Sequence, residues 1–190
     1  GGITPSVELI QKVKSQIKIP VHAMIRPRGG NFIYSDAEFE DMKKSIQQCK
    51  YLRVDGIVFG ILRENNIVDK KRCKELVTLA QPMSTTFHRA FDEAQNPTGT
   101  LEEIIDCGFK RILTSGQRQT ALEGAGLIAE LITRANGKII IMPGGNVRAE
   151  NIRELKTKTA ANEFHSSALN PATMLSDKNE IQKMKSLLTP

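Results

Sequence analysis

Thr86-Phe87-His88-Arg89-Ala90-Phe91-Asp92 is the stretch on which the reading of this sequence turns. A short apolar run ends abruptly in side chains that carry chemistry. Four other stretches share this form. They are Val21-His22-Ala23-Met24-Ile25-Arg26-Pro27-Arg28-Gly29-Gly30, Arg111-Ile112-Leu113-Thr114-Ser115-Gly116, Ile139-Ile140-Ile141-Met142-Pro143-Gly144-Gly145 and Glu163-Phe164-His165-Ser166-Ser167. Each reads as a buried strand with a polar C-terminal end. In a parallel α/β protein such ends gather on one side of the sheet, where ligands bind. The sequence therefore predicts one polar site built from several strand ends.

Amphipathic stretches separate the strands. The pattern predicts strands over 21–27, 56–62, 84–90, 111–115, 138–142 and 163–168. It predicts helices over 6–16, 36–50, 69–80, 99–107, 120–135, 148–157 and 178–188. Several helix ends carry signals. Pro5 suits a first-turn position with Thr4 or Ser6 as cap, Ser35-Asp36-Ala37-Glu38 fits a capping box, and Gly108 suits a C-cap. Six βα units in strict alternation predict a parallel sheet covered by helices. No GxGxxG follows a first strand, and polar residues end several strands rather than one switch point. Both features favour a TIM-type (β/α)8 barrel over a doubly wound sheet. Six units fall short of eight, so within one domain over residues 1–190 either part of the barrel is missing or the sheet stays open.

Composition excludes several classes. The chain has 190 residues, 39% of them hydrophobic and 25% charged, as in a soluble globular protein. No apolar run approaches the roughly 20 residues that span a bilayer. Net charge is +6, but aromatics are only 5% and no nucleic-acid motif occurs, so the lysines read as solvated helix faces. Cys49, Cys73 and Cys107 are odd in number and widely spaced, which argues against disulfides or structural zinc and for a reducing, cytoplasmic setting. The six methionines read as core filling.

Alternation along the strands picks out the site candidates. Thr86 and His88 share one face and Phe87 takes the other, so Phe87 packs under helices and His88 points to the mouth. By the same parity His165, Met24, Arg26 and Thr114 point inward. His88 and His165 are the candidate acid/base pair. Arg26 and Arg28 are candidate anion contacts, because guanidinium donates in a planar fork. Ser115, Gly144, Gly145 and Ser166 follow the last three strands, where barrels often build a phosphate site from backbone N–H groups. Arg89 and Asp92 read as a structural pair, and His22, at a strand start, as structural.

These motifs resemble the CutC copper homeostasis family. The residues that carry the resemblance are Ile25-Arg26-Pro27-Arg28-Gly29-Gly30, Tyr34-Ser35-Asp36, Val58-Phe59-Gly60, Thr86-Phe87-His88-Arg89-Ala90-Phe91-Asp92, Leu113-Thr114-Ser115-Gly116, Met142-Pro143-Gly144-Gly145 and His165-Ser166-Ser167-Ala168. It implies a (β/α)8 barrel, a cytoplasmic and often homo-oligomeric protein, and copper as the associated ion, held as Cu(I) by soft ligands. It also implies that Gly1-Gly2-Ile3-Thr4-Pro5-Ser6 follows two absent strands that end in cysteines, and none of the three cysteines here matches those. Asn146 stands where the family usually has glycine, and asparagine tolerates positive φ. Three functions stay open: Cu(I) handling, an enzyme acting on a small anionic, perhaps phosphorylated, metabolite, and binding without chemistry.

Overall fold

Local signals in the sequence set most helix ends of the computed structural model, which describes residues 2–189. Ser6 caps α1 (Val7–Gln16), accepting from the Leu9 N–H, so Pro5 lies one residue outside the cap rather than in the first turn. Ser35 and Glu38 close a reciprocal capping box on α2 (Asp36–Tyr51). Asp69 caps α3 (Lys70–Ala80), and Asn96 caps α4 (Pro97–Cys107), which ends on Gly108 in the left-handed conformation. Asp177 caps α7 (Lys178–Leu188).

The described chain divides between Arg111 and Ile112 into two units. In the first, β1 (His22–Met24), β2 (Gly56–Phe59) and β3 (Ser84–Phe87) form a parallel sheet in sequential order. Register places Ile57 beside Ala23 and Thr85, and Phe59 beside Phe87. Phe59 and Phe87 are fully buried, and both pack on Phe109, at 4.9 and 5.3 Å between ring centroids. Met42, Ile46, Leu76, Leu101 and Ile104 from α2, α3 and α4 are buried as well. The other side of the sheet carries Met24, Val58 and Thr86 in register. Phe87 thus lies on the aromatic core side and Thr86 on the opposite one, as alternation predicts.

The strands are shorter than expected. The third ends at Phe87 because His88 caps a 3-10 helix over Arg89–Glu93, its Nδ1 accepting from the Ala90 N–H. Leu62, expected to end the second, instead forms an isolated antiparallel bridge with Val68.

In the second unit the strands are β4 (Arg111–Thr114), which starts on the last residue of the first unit, and β5 (Ile140–Pro143). The Gly144 N–H donates to Thr114 O at 2.9 Å. The sixth expected strand is reduced to one parallel bridge, Gly144 with His165. The Ser166 hydroxyl bonds Val147 O and the Ala168 N–H, and Ala168 turns to φ 46°, so the chain leaves the sheet. Five strands and a bridge therefore stand in place of six strands.

Two helices start late for stated reasons. α5 (Ala125–Ala135) begins five residues beyond the expected start. A Cβ on Gly124 would collide with Ser115 O and Gly116 Cα, so residues 120–124 press against that backbone as turns. α6 (Ile152–Thr159) begins late because Asn151 accepts from the Arg148 N–H and donates to Asn146 O, folding 146–151 into a turn. Asn146 has φ 53°, the positive value its residue type suggested.

Gly124 and Gly126 make a contrasting pair. Gly124→Ala drives a methyl into backbone and is expected to cost about 1–3 kcal/mol. Gly126 lies inside α5 with nothing within 4 Å of an added Cβ. Gly126→Ala is expected to stabilise by about 0.5–1 kcal/mol through helix propensity. Urea unfolding of the two variants beside the parent checks both.

Candidate functional site

Arg26 follows β1 and is fixed through its backbone, which exchanges hydrogen bonds with Thr4: Arg26 N–H to Thr4 Oγ1 at 2.8 Å and Thr4 N–H to Arg26 O at 2.9 Å. Its guanidinium lies over the Phe32 ring, 4.8 Å from the centroid. Nη2 donates to Gly30 O at 2.6 Å. The loop from Pro27 to Tyr34 thus folds back over the arginine that precedes it, and the positive φ of Gly30 (82°) permits the turn.

Arg28 is a different case. Nε pairs with Glu38 Oε1 at 2.5 Å, Nη2 donates to Ile33 O at 2.7 Å, and Nη1 reaches Gly29 O and Asn31 Oδ1 at 3.1 and 3.2 Å. This fork holds the loop and ties it to the first turn of α2. The partner is Glu38; Asp36 instead pairs with Arg72. Arg89 and Asp92 form the expected pair at 2.7 Å.

His88 is only 3% exposed. Its ring packs against Phe32 at 4.6 Å, so Phe32 lies between the imidazole and the guanidinium as a contact of both. Gly60 makes room, because a Cβ there would stand 2.8 Å from Nδ1 of His88. Nδ1 accepts from the Ala90 N–H at 3.2 Å, which places the proton of the neutral ring on Nε2. Burial, with the Arg26 charge adding to it, lowers the His88 pKa to about 3. The imidazole is therefore a neutral N–H donor at physiological pH. Burial also raises the Tyr34 hydroxyl, with the Arg26 charge opposing the shift.

Among the described residues of this unit four buried side-chain atoms have no hydrogen bond of good geometry, Arg26 Nε, Tyr34 Oη, Thr86 Oγ1 and His88 Nε2, although the Arg26 side chain lies close enough to act on the Tyr34 hydroxyl. Buried polar groups are nearly always paired, so four at the ends of β1 and β3 and in the loop after β1 make this a candidate site. Arg26, His88 and the face of Thr86 were legible in the sequence. Phe32 and Tyr34 were not singled out for chemistry, and the signal for them was an aromatic pair closing the Arg-Pro-Arg-Gly-Gly loop.

In the second unit the candidates are committed to structure. Ser115 donates to Arg118 O at 2.6 Å, and the Gly116 N–H is taken by Thr114 Oγ1. Ser166 donates to Val147 O at 2.6 Å. The Gly144 N–H belongs to the Thr114 pairing, and a Cβ on Gly144 would collide with Leu113 and crowd His165. Gly145 has φ 115°, and its carbonyl accepts from the Ala121 N–H. His165 enters through its backbone, donating to Pro143 O at 2.8 Å.

Repeated βα units with polar strand ends define a protein of the TIM-barrel type. The aldolase QR15 superposes with a TM-score of 0.68 at 17% identity over 96% of this chain and 82% of its own, a likeness of fold alone. The chain belongs to the CutC family, whose model matches residues 1–170. It is 48% identical over 168 residues to the copper homeostasis protein cutC homolog of Mus musculus, covering 88% of this chain and 62% of the mouse protein. The chain therefore spans under two thirds of that relative's length. The CutC crystal structure from Streptococcus agalactiae superposes with a TM-score of 0.83 at 35% identity, over 87% of this chain and 82% of that one.

The residues present do not fit a thiolate copper centre. Among the described residues no group of three or more His, Cys, Asp or Glu side chains is placed to hold a metal ion. Cys49, Cys73 and Cys107 are free, buried and on three different helices. Burial pushes Cys73 well up and Cys107 to about 11, so both are protonated thiols. No helix among the described residues is long and apolar enough to cross a membrane.

The lowered His88 pKa carries a stability signature. Below about 6.5 the unfolded chain takes up a proton that the folded chain refuses until about pH 3. Stability is therefore full above about pH 6.5 and falls as pH drops, at up to about 1.4 kcal/mol per unit for this group. Urea unfolding at pH 4, 5, 6 and 7 is expected to lose that part of its slope in His88→Gln.

Proposed function

We propose that this chain, as part of a CutC copper homeostasis protein, binds a small anionic, phosphorylated metabolite at the ends of β1 and β3. The observation that carries the reading is the set of four buried, unpartnered polar atoms on Arg26, Tyr34, Thr86 and His88. Arg26 supplies the charge, with Phe32 holding the guanidinium in plane. His88 donates from Nε2 to a ligand oxygen, and the Tyr34 and Thr86 hydroxyls orient on others. His88 in this reading polarises the ligand rather than exchanging a proton with it. His165 is kept as a candidate acid/base residue of its own unit, and the reading assigns no ligand contact to Ser115, Gly144, Gly145 or Ser166.

The copper reading is finer than family membership. Cu(I) binding and transfer in the cytosol by a homo-oligomer rests on the family resemblance and on the names of relatives such as the mouse protein. The protonation and burial of all three thiols weigh against this chain as the copper ligand set.

Two experiments test these readings. Calorimetric titration with inorganic phosphate and with 3-phosphoglycerate is expected to give saturable binding that Arg26→Ala weakens at least about tenfold, or about 1.4 kcal/mol. His88→Gln, which keeps a donor near Nε2, is expected to bind more tightly than His88→Leu. Equal affinity in the parent and Arg26→Ala would sink the proposal. For copper, competition with a chromophoric Cu(I) chelator under reducing conditions is expected to show no transfer to this chain. Transfer abolished by Cys107→Ser would reverse that conclusion.

A further inference from the structure

A cleft in the second unit supports an inference that is independent of the reading of Arg26 and His88. Its volume is about 410 Å³, and its walls come from the loop after β5, residues 169–171 and the start of α7. Arg148 is the residue that makes it more than a surface hollow. The loop around it is held from three directions. Asn151 Oδ1 accepts the Arg148 N–H at 2.9 Å, Asn151 Nδ2 donates to Asn146 O at 2.8 Å, and Glu180 Oε1 accepts the Ala149 N–H at 2.7 Å. Nevertheless Arg148 Nη1 is buried and donates to nothing. A buried guanidinium N–H demands an acceptor.

The carboxylates of the cleft do not meet that demand. Asp177 Oδ1 accepts from the N–H groups of Asn179 and Glu180 at 2.7 and 3.4 Å, and Glu180 Oε1 is taken by Ala149. Lys183, one turn beyond Glu180 on α7, adds an exposed ammonium, and Glu150 adds an exposed carboxylate. Two cations and three carboxylates line the space. A dianion entering it meets a net negative wall, which disfavours phosphate. A carboxylate with an ammonium on the adjacent carbon matches both signs, the carboxylate on Arg148 Nη1 and the ammonium on Glu150. We propose that this cleft binds a free amino acid through its α-amino and α-carboxylate groups.

The test titrates alanine, acetate and inorganic phosphate separately into the whole chain, following the backbone amide NMR shifts of Ala149 and Asn170. Alanine is expected to saturate, with acetate at least about tenfold weaker and phosphate weaker still. Arg148→Lys, which keeps the charge and loses the fork, is expected to weaken alanine about tenfold. Glu150→Gln, at an exposed position that folding tolerates, is expected to weaken alanine and leave acetate unchanged. Failure of alanine to saturate, phosphate binding tighter than alanine, or an unchanged alanine-to-acetate ratio in Glu150→Gln overturns the proposal. If Arg148→Lys does not fold, the Glu150→Gln ratio decides alone.

Discussion

The seating of Arg26 over Phe32 is the constraint on which the candidate site depends. A guanidinium beside an aromatic face, with one terminal nitrogen on Gly30 O, fixes the loop that carries Tyr34. It also fixes the protonation of His88, which packs on the same phenyl ring. Burial, with the Arg26 charge adding to it, keeps the imidazole neutral, and the Ala90 N–H on Nδ1 leaves its one proton on the buried Nε2. Arg26 thus shapes the loop and adds to the burial that keeps His88 neutral, while the Ala90 N–H sets the tautomer. Arg28 then secures the loop from the other side by pairing with Glu38, the residue that closes the capping box of α2.

Much of the fold was legible because its signals are local. Ser35 with Glu38, Asp69, Gly108 and Asp177 mark helix ends through hydrogen bonds that reach only two or three residues along the chain, or through one backbone conformation. Strand ends were read too long because alternation registers apolar character and not a side chain's claim on the backbone. Pairing stops where a side chain claims the backbone, as His88 does at Ala90 and Ser166 does at Val147 and Ala168. Periodicity is blind to such competition, because the apolar run continues past it. α5 starts late through the close approach of Gly124 to Ser115 and Gly116, and α6 through the bonds of Asn151 to the turn before it.

The same distinction sorts the site residues. Arg26 and His88 were legible because strand parity sends them to the polar end of the sheet. Ser115, Ser166 and Gly144 have the residue types of an anion cradle, yet their hydroxyls and N–H groups are already bonded within the fold. Here glycine answers a packing demand: Leu113 occupies the space that a Gly144 side chain would need. Composition cannot separate a glycine that admits a ligand from one that admits a neighbouring leucine. The unpartnered Nη1 of Arg148 was equally hidden, since nothing in Asn-Val-Arg-Ala marks a donor left without an acceptor.

The donor set around Arg26 also bears on what copper homeostasis means for this part of the family. Guanidinium and imidazole N–H groups and two hydroxyls are hard, proton-bearing donors, complementary to oxygen atoms that carry negative charge. Cu(I) asks for soft sulfur, as thiolate or thioether. The cysteine sulfur sits in helices, with Cys73 bonded to Ile61 O and Cys107 to Lys70 O. Thiols in such surroundings keep their protons, because burial penalises the thiolate more than the Lys70 and Lys74 charges near Cys107 favour it. A site of hard donors and a core of inert thiols divide the chemistry cleanly. In the proposed reading the donors around Arg26 suit an anion, and that chemistry differs in kind from the coordination of a soft metal ion.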